Sequence, residues 1–236
     1  MNAHGLEFVV PDEMISVAVA ALEKSNLRPC PGPWTCIVTG NHTPSPPPAF
    51  HMHIGLTNVY VSIRAHSGTL GFAPPPTDLD FEAELHGMPD AHYTLASNRS
   101  LLARPLRSLG RVRGQGAFSR KGPPVRVPLS HVMLEAYIRL ASAHRYEYGS
   151  FYRSMMTYVQ EHVDQDGLLD DTKLSGPCRT FWLGLKAGRR RVRDLVDEFQ
   201  LALSDADADA DADADSGLGI SSEAFDGEGS IDGVFQ

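Results

Sequence analysis

His51-Met52-His53 is the arrangement in this chain whose residue types and spacing come nearest to a metal-ligand pair. On a strand, residues two apart point to the same face, so two imidazoles at that spacing can share one ion. A third ligand does not stand beside them, and His66 and His86 are the histidines that follow. Cys30, Cys36 and Cys178 are odd in number and lack the short Cys-x2-Cys spacing of metal motifs, so they read as reduced, structural thiols. On these grounds no metal and no cofactor is expected. His51 and His53 read as two polar residues on the exposed face of a half-buried strand.

Carboxylates raise a second possibility. Gly5-Leu6-Glu7-Phe8-Val9-Val10 is a β-rich run stopped by Pro11, and Met14, Val17, Ala18, Ala21 and Leu22 then recur at helical spacing to about Lys24. This strand and helix resemble a segment of the nucleotidyltransferase-fold superfamily, in particular its minimal branch. Val125-Arg126-Val127-Pro128 through Arg139, and Phe151–Val163 leading into Leu168-Leu169-Asp170, resemble the strand and helices that follow the active site there. The chain as a whole is similar to uncharacterised proteins of filamentous fungi.

That resemblance implies an α+β fold and an Asp-apolar-Asp (or Glu) motif on the first strand, holding divalent metal ions for nucleotidyl transfer. Here Gly5 stands at the first acidic position and Glu7 at the second, so the motif is degenerate. Val59 to Arg64 supplies no third carboxylate, and the family's glycine-rich turn would lie before Met1. The resemblance therefore implies a non-catalytic or truncated member with no catalytic residues.

The third chemistry is electrostatic. Arg99, Arg104, Arg107, Arg111, Arg113, Arg120, Lys121 and Arg126 occur with no acidic residue between Asp90 and Glu135. The run reads first as a solvated loop; the alternative is contact with a polyanion, either an acidic protein or nucleic acid. Arg189-Arg190-Arg191 with Arg193 reads as an exposed helix face. Asp164-Gln165-Asp166-Gly167 resembles a calcium loop only briefly, since its glycine is fourth and Ser175 stands at position twelve.

The elements that position these groups follow from periodicity. Phe50, Met52 and Ile54, then Val59, Val61 and Ile63, alternate across a turn at Gly55–Asn58, which predicts a hairpin. Short strands are expected at Thr69–Phe72, Tyr93–Ala96 and Val125–Val127. Helices follow: one capped by Ser130 and running to about His144, with Val132, Met133, Ala136, Tyr137 and Leu140 inward; one over Phe151–Val163; one opened by Ser175 and Pro177 and ended by Gly188; and one from Val192 to Leu203.

The expected fold is thus α/β in the α+β sense. A small mixed sheet packs against helices in one domain, 1–203, strand-rich over 1–127 and helical over 128–203. Beyond it, 204–236 reads as a disordered acidic tail. The chain carries a net charge of −8, but ten acidic and no basic residues lie from Ser204 onward, leaving 19 acidic against 21 basic before it. The Asp-Ala repeat from Asp205 to Asp215 has no apolar stripe to offset the entropy of ordering. No membrane span or signal peptide is read, and the expected setting is intracellular, cytoplasmic or nuclear. The functional expectation is a degenerate nucleotidyltransferase-like protein. The alternative is an interaction module acting through the basic loop 99–126.

Overall fold

A computed structural model of the chain describes residues 5–32, 36, 38–39, 45–55, 59–76, 90–98 and 124–216, with side chains in the last helix to Asp205. The fold is α+β. Four strands, β1 (Gly5–Val10), β2 (Arg28–Pro29), β3 (Phe50–His53) and β4 (Tyr60–Ala65), form one mixed sheet in the order β1-β4-β3-β2. β1 runs parallel to β4, which requires a crossover, and helix α1 (Ile15–Glu23) lies within it. β3 and β4 form the expected antiparallel hairpin, and β2 extends it through Arg28↔His53 and Pro29↔Met52.

Met52, Val61 and Ile63 are buried on one face of the sheet. The other face carries Gly5, Glu7, Tyr60, Ser62, Arg64, His51 and His53, because the registers Gly5↔Tyr60, Glu7↔Ser62, His51↔Ser62 and His53↔Tyr60 put paired side chains on one side. β1 is an edge strand rather than a buried one, with Leu6 and Phe8 about half exposed. No residue of α1 is buried, so its apolar stripe does not enter a core among the described residues.

The strand expected at Thr69–Phe72 is instead a short helix, α2 (Ser67–Leu70). Bonds at its first turn decide it, one set local and one from Asp12. The His66 carbonyl accepts the N–H groups of Thr69 and Leu70, and Asp12 accepts both the N–H and hydroxyl of Ser67. A second, two-stranded sheet pairs β5 (Tyr93–Leu95) with β6 (Arg126–Pro128).

The helical part comprises α3 (Ser130–Ala143), α4 (Gly149–Val159) continued by a π turn over Gln160–Asp164, α5 (Gly176–Ala187) and α6 (Val192–Ser216). Gly188, at φ 64°, takes the left-handed position that ends α5, as a C-terminal glycine does. Ser130 does not cap α3; its hydroxyl donates to the Leu168 carbonyl. Sequence periodicity assigns α3 one apolar stripe, but two of its faces are buried. Leu134, Ile138 and Ala141 join a core with Met156, Cys178, Phe181, Trp182 and Phe199. Val132 and Ala136 join Leu70, Ala73 and Tyr93 in a second, smaller core. Met133, expected inward, is only half-buried. α3 is therefore the element on which both cores meet.

Glu135 on the same helix is buried. It accepts from Arg139 at 2.8 Å and from the Ser175 N–H and hydroxyl at 3.2 and 2.9 Å. Those four bonds, counting both Arg139 nitrogens, satisfy a charge that would otherwise be costly to bury, and they tie α3 to the start of α5. α6 continues past Leu203, where its apolar stripe ends, to Ser216. The amphipathic turns supply the costly nucleus, and alanine at alternate positions then favours propagation. This moves the helix end from the expected Leu203, while 217–236 lie outside the described residues.

Candidate metal centre

Cys30, Cys36, His51 and His53 bring four ligand atoms together, all within 4.8 Å of one another. β3 supplies the two imidazoles on one face, at the spacing that the alternation requires. Their rings stand edge to face with centroids 5.3 Å apart. The Cys36 sulfur lies 3.2 Å from His51 Nε2 and 3.5 Å from His53 Nε2.

The backbone at Gly32 helps to bring the two thiols to that point. Gly32 has φ 107°, a backbone conformation that a side chain would strain. Its carbonyl accepts the Cys36 N–H at 3.1 Å, and its own N–H donates to Cys30 Sγ at 3.4 Å. β2, pairing with β3, begins two residues before Cys30 and so fixes where the turn starts.

The electrostatics suit a cation. Burial, followed by the neighbouring His53, holds the His51 pKa below its ordinary value and keeps the ring neutral, as a ligand must be. Burial pushes the Cys36 thiol up. N–H donors from Val38 and Thr39, the Thr39 hydroxyl and Cys30 more than offset it, leaving that pKa below the ordinary thiol value. In a tetrahedral zinc site, bonds of about 2.3 Å to sulfur and 2.0–2.1 Å to nitrogen imply ligand–ligand separations of about 3.3–3.8 Å. The observed cluster needs only a small contraction to match, and two thiolates with two imidazoles are a zinc donor set. His51, His53 and Cys36 are buried, and Cys30 is half-buried.

This corrects one expectation. The histidines are not on an exposed face, because their relative exposures are 7% and 9%. Cys30 and Cys36, expected as reduced thiols, are free of disulfides and lie beside the histidine pair. The further ligands considered from sequence do not join them. His66 Nε2 lies 3.3 Å from the Tyr93 hydroxyl, and His86 lies outside the described residues. The missed signal was compositional: four potential ligands fall within 24 residues, around a Pro-Gly turn, with a spacing longer than that of compact motifs.

Cys178 belongs elsewhere. It is fully buried in the helical core, and burial pushes its thiol up to about 12. In metal-free folded protein, alkylation should therefore reach Cys30 first and Cys36 more slowly. Cys178 should react at least ~10³-fold more slowly than Cys30, through openings of ~4 kcal/mol or more. Metal should protect Cys30 and Cys36 together, leaving Cys178 unchanged, as read by mass spectrometry of the labelled peptides. Fast labelling of Cys178 alongside Cys30 would contradict this placement.

Gly5 and Glu7 lie on the same sheet face but build no second centre among the described residues. Glu7 is taken by Arg64, whose Nε and Nη2 donate to its two oxygens at 3.1 and 3.2 Å. Arg64 also donates to the Pro46 carbonyl at 3.0 Å. Gly5 is overlain by Tyr60, and a Cβ added there would meet the ring at 2.4 Å. Ser62 is the β4 residue registered with Glu7.

Of the basic loop, Arg126 is described and bonds Asp90 at 3.2 Å. Arg104, Arg107, Arg111, Arg113, Arg120 and Lys121 lie outside the described residues. Arg190, in the second basic cluster, pairs with Glu198. Among the described residues no helix is long and apolar enough to cross a membrane. No family model, curated protein or solved structure matches the chain.

Proposed function

We propose that this chain is a non-catalytic metal-binding module in which Cys30, Cys36, His51 and His53 hold one zinc ion as a structural centre. The observation that carries the reading is the convergence of four ligand atoms within 4.8 Å, from the segment around Gly32 and from β3, whose nearest ligands are 15 residues apart. Four protein ligands leave no open position for a substrate or an activated water, the arrangement that separates structural from catalytic zinc. The ion would fasten the turn at 30–36 to the hairpin and so hold β2 on the sheet.

Within the superfamily that the first strand resembles, this is a member without nucleotidyl transfer. Two contacts support that: Arg64 occupies Glu7, and the Tyr60 ring takes the space a carboxylate at position 5 would need. A lone, neutralised carboxylate does not order the paired ions that the transfer requires.

Protein purified without chelator should contain one zinc per chain by elemental analysis. Replacement by Co²⁺ should give the visible bands of a tetrahedral site and the near-ultraviolet charge transfer of thiolate ligation. Cys36→Ser and His51→Ala should each lower zinc affinity by about 10²-fold or more, since each removes a ligand from the ion's first sphere. Absence of stoichiometric metal after reconstitution, or an unchanged affinity in Cys36→Ser, would overturn the proposal.

A further inference from the structure

Ser62 is fully buried on β4, and its hydroxyl has no hydrogen-bond partner among the described residues. Buried hydroxyls are nearly always bonded, so an orphan of this kind calls for an explanation. Its place in the sheet supplies one. Ser62 is registered directly opposite His51, on the face that carries the four ligands. The bond from the Ile54 N–H to the Val59 carbonyl marks that pair as hydrogen-bonded. By the alternation of an antiparallel ladder, His51/Ser62 is then a pair of the other kind, with the closer Cα approach of about 4.5 Å.

His51 turns Nε2 toward Cys36, which leaves Nδ1 as the ring nitrogen not directed at the ligand cluster. Once Nε2 binds a metal, Nδ1 carries the proton and requires an acceptor. Metal-bound histidines almost always find one in a neighbouring oxygen.

We infer that Ser62 is a positioning residue for the metal centre: in the loaded protein its hydroxyl oxygen accepts the Nδ1–H of His51, fixing the tautomer and the ring orientation. The inference rests on the metal reading above and goes beyond it, since four ligands can bind an ion without this bond. It also accounts for a hydroxyl, rather than an apolar group, at a site with no exposure. In the metal-free protein that hydroxyl is a defect, and in the loaded protein it is satisfied.

The test separates the two readings. Zinc affinity is measured by competition with a chromophoric chelator for the wild type, Ser62→Ala and Ser62→Thr, each as the full chain. Ser62→Ala should bind zinc about 10-fold more weakly while keeping the tetrahedral Co²⁺ spectrum. Its metal-free melting temperature should be unchanged or raised, because the orphan hydroxyl has gone. Ser62→Thr keeps the oxygen and should restore most of the affinity. In ¹⁵N-histidine spectra of the loaded wild type, His51 should show a protonated, exchange-protected Nδ1, and Ser62→Ala should lose that protection. If the wild type binds one zinc and Ser62→Ala binds it equally well with His51 Nδ1 still protected, the inference fails and the metal reading stands. If the wild type binds no zinc, both fail together.

Discussion

Removing the metal should loosen the sheet while leaving the helices in place. The helical core contains thirteen buried residues, from Leu134 to Phe199, in one contiguous cluster. Among the described residues the sheet has no comparable cluster. α1 buries nothing, Leu6 and Phe8 are about half exposed, and the buried Met52, Val61 and Ile63 lie on the sheet face opposite the histidine pair. An ion bound only by the folded state stabilises it by RT ln(1 + [L]/Kd), about 4.1 kcal/mol when free metal stands at 1,000 times Kd. That energy is local to the segments the ion joins. Adding a strong chelator should therefore accelerate hydrogen exchange of the β3 and β4 amides by up to ~10³-fold, the equivalent of that energy, with α3–α5 amides changing little. Exchange measured by mass spectrometry with and without chelator gives the answer. Unchanged protection of β3 and β4 in protein shown to have lost its metal would mean that apolar packing alone holds the sheet.

Placing a carboxylate at position 5 should damage this chain. In Gly5→Asp the new Cβ would lie 2.4 Å from Tyr60 Cε2 and 2.6 Å from Cδ2 and Cζ, so the ring must leave its place. Tyr60 is registered with Gly5 on one side and His53 on the other, and moving it disturbs the strand that carries two ligands. Overpacking of this kind costs about 1–3 kcal/mol. The added carboxylate would also project from the face that carries Glu7, two residues along the same strand, and like charges so placed repel.

Gly5→Asp should thus lower the denaturation midpoint without creating nucleotide transfer in the presence of Mg²⁺ or Mn²⁺. Tyr60→Ala removes the obstacle, so the double variant should be less destabilised than the sum of the single changes. That non-additivity is the signature of a direct clash. A fully stable Gly5→Asp that transferred nucleotides would return the chain to the enzymes.

The packing around position 5 and Glu7 leaves no place for a carboxylate pair there. Position 5 accepts glycine because of what lies above it, and Glu7 serves as the partner of an arginine. Neither fact is visible in the string Gly5-Leu6-Glu7, which shows only that the acidic residues are too few. The same holds for α2, where a β-like run of Thr69 to Phe72 becomes helix because Asp12, more than fifty residues earlier, accepts from Ser67.

Local pattern was sufficient wherever neighbours in the chain are also neighbours in space. The apolar spacing of 149–159 and 176–187, the glycine that closes α5, and the alternation that makes β3 and β4 a hairpin all act within one or two turns of chain. Those interactions are encoded at short range, so periodicity alone reveals them. The metal centre depends on long-range closure. His51 and His53 are placed by strand alternation. Cys30 and Cys36 reach them only because β2 pairs with β3 and the backbone turns at Gly32 with φ 107°. Loop closure is decided by the energy of the whole sheet, not by residue spacing. For that reason the sequence determined the strand, the helices and the histidine pair, while only the tertiary structure decided that two distant thiols complete a site.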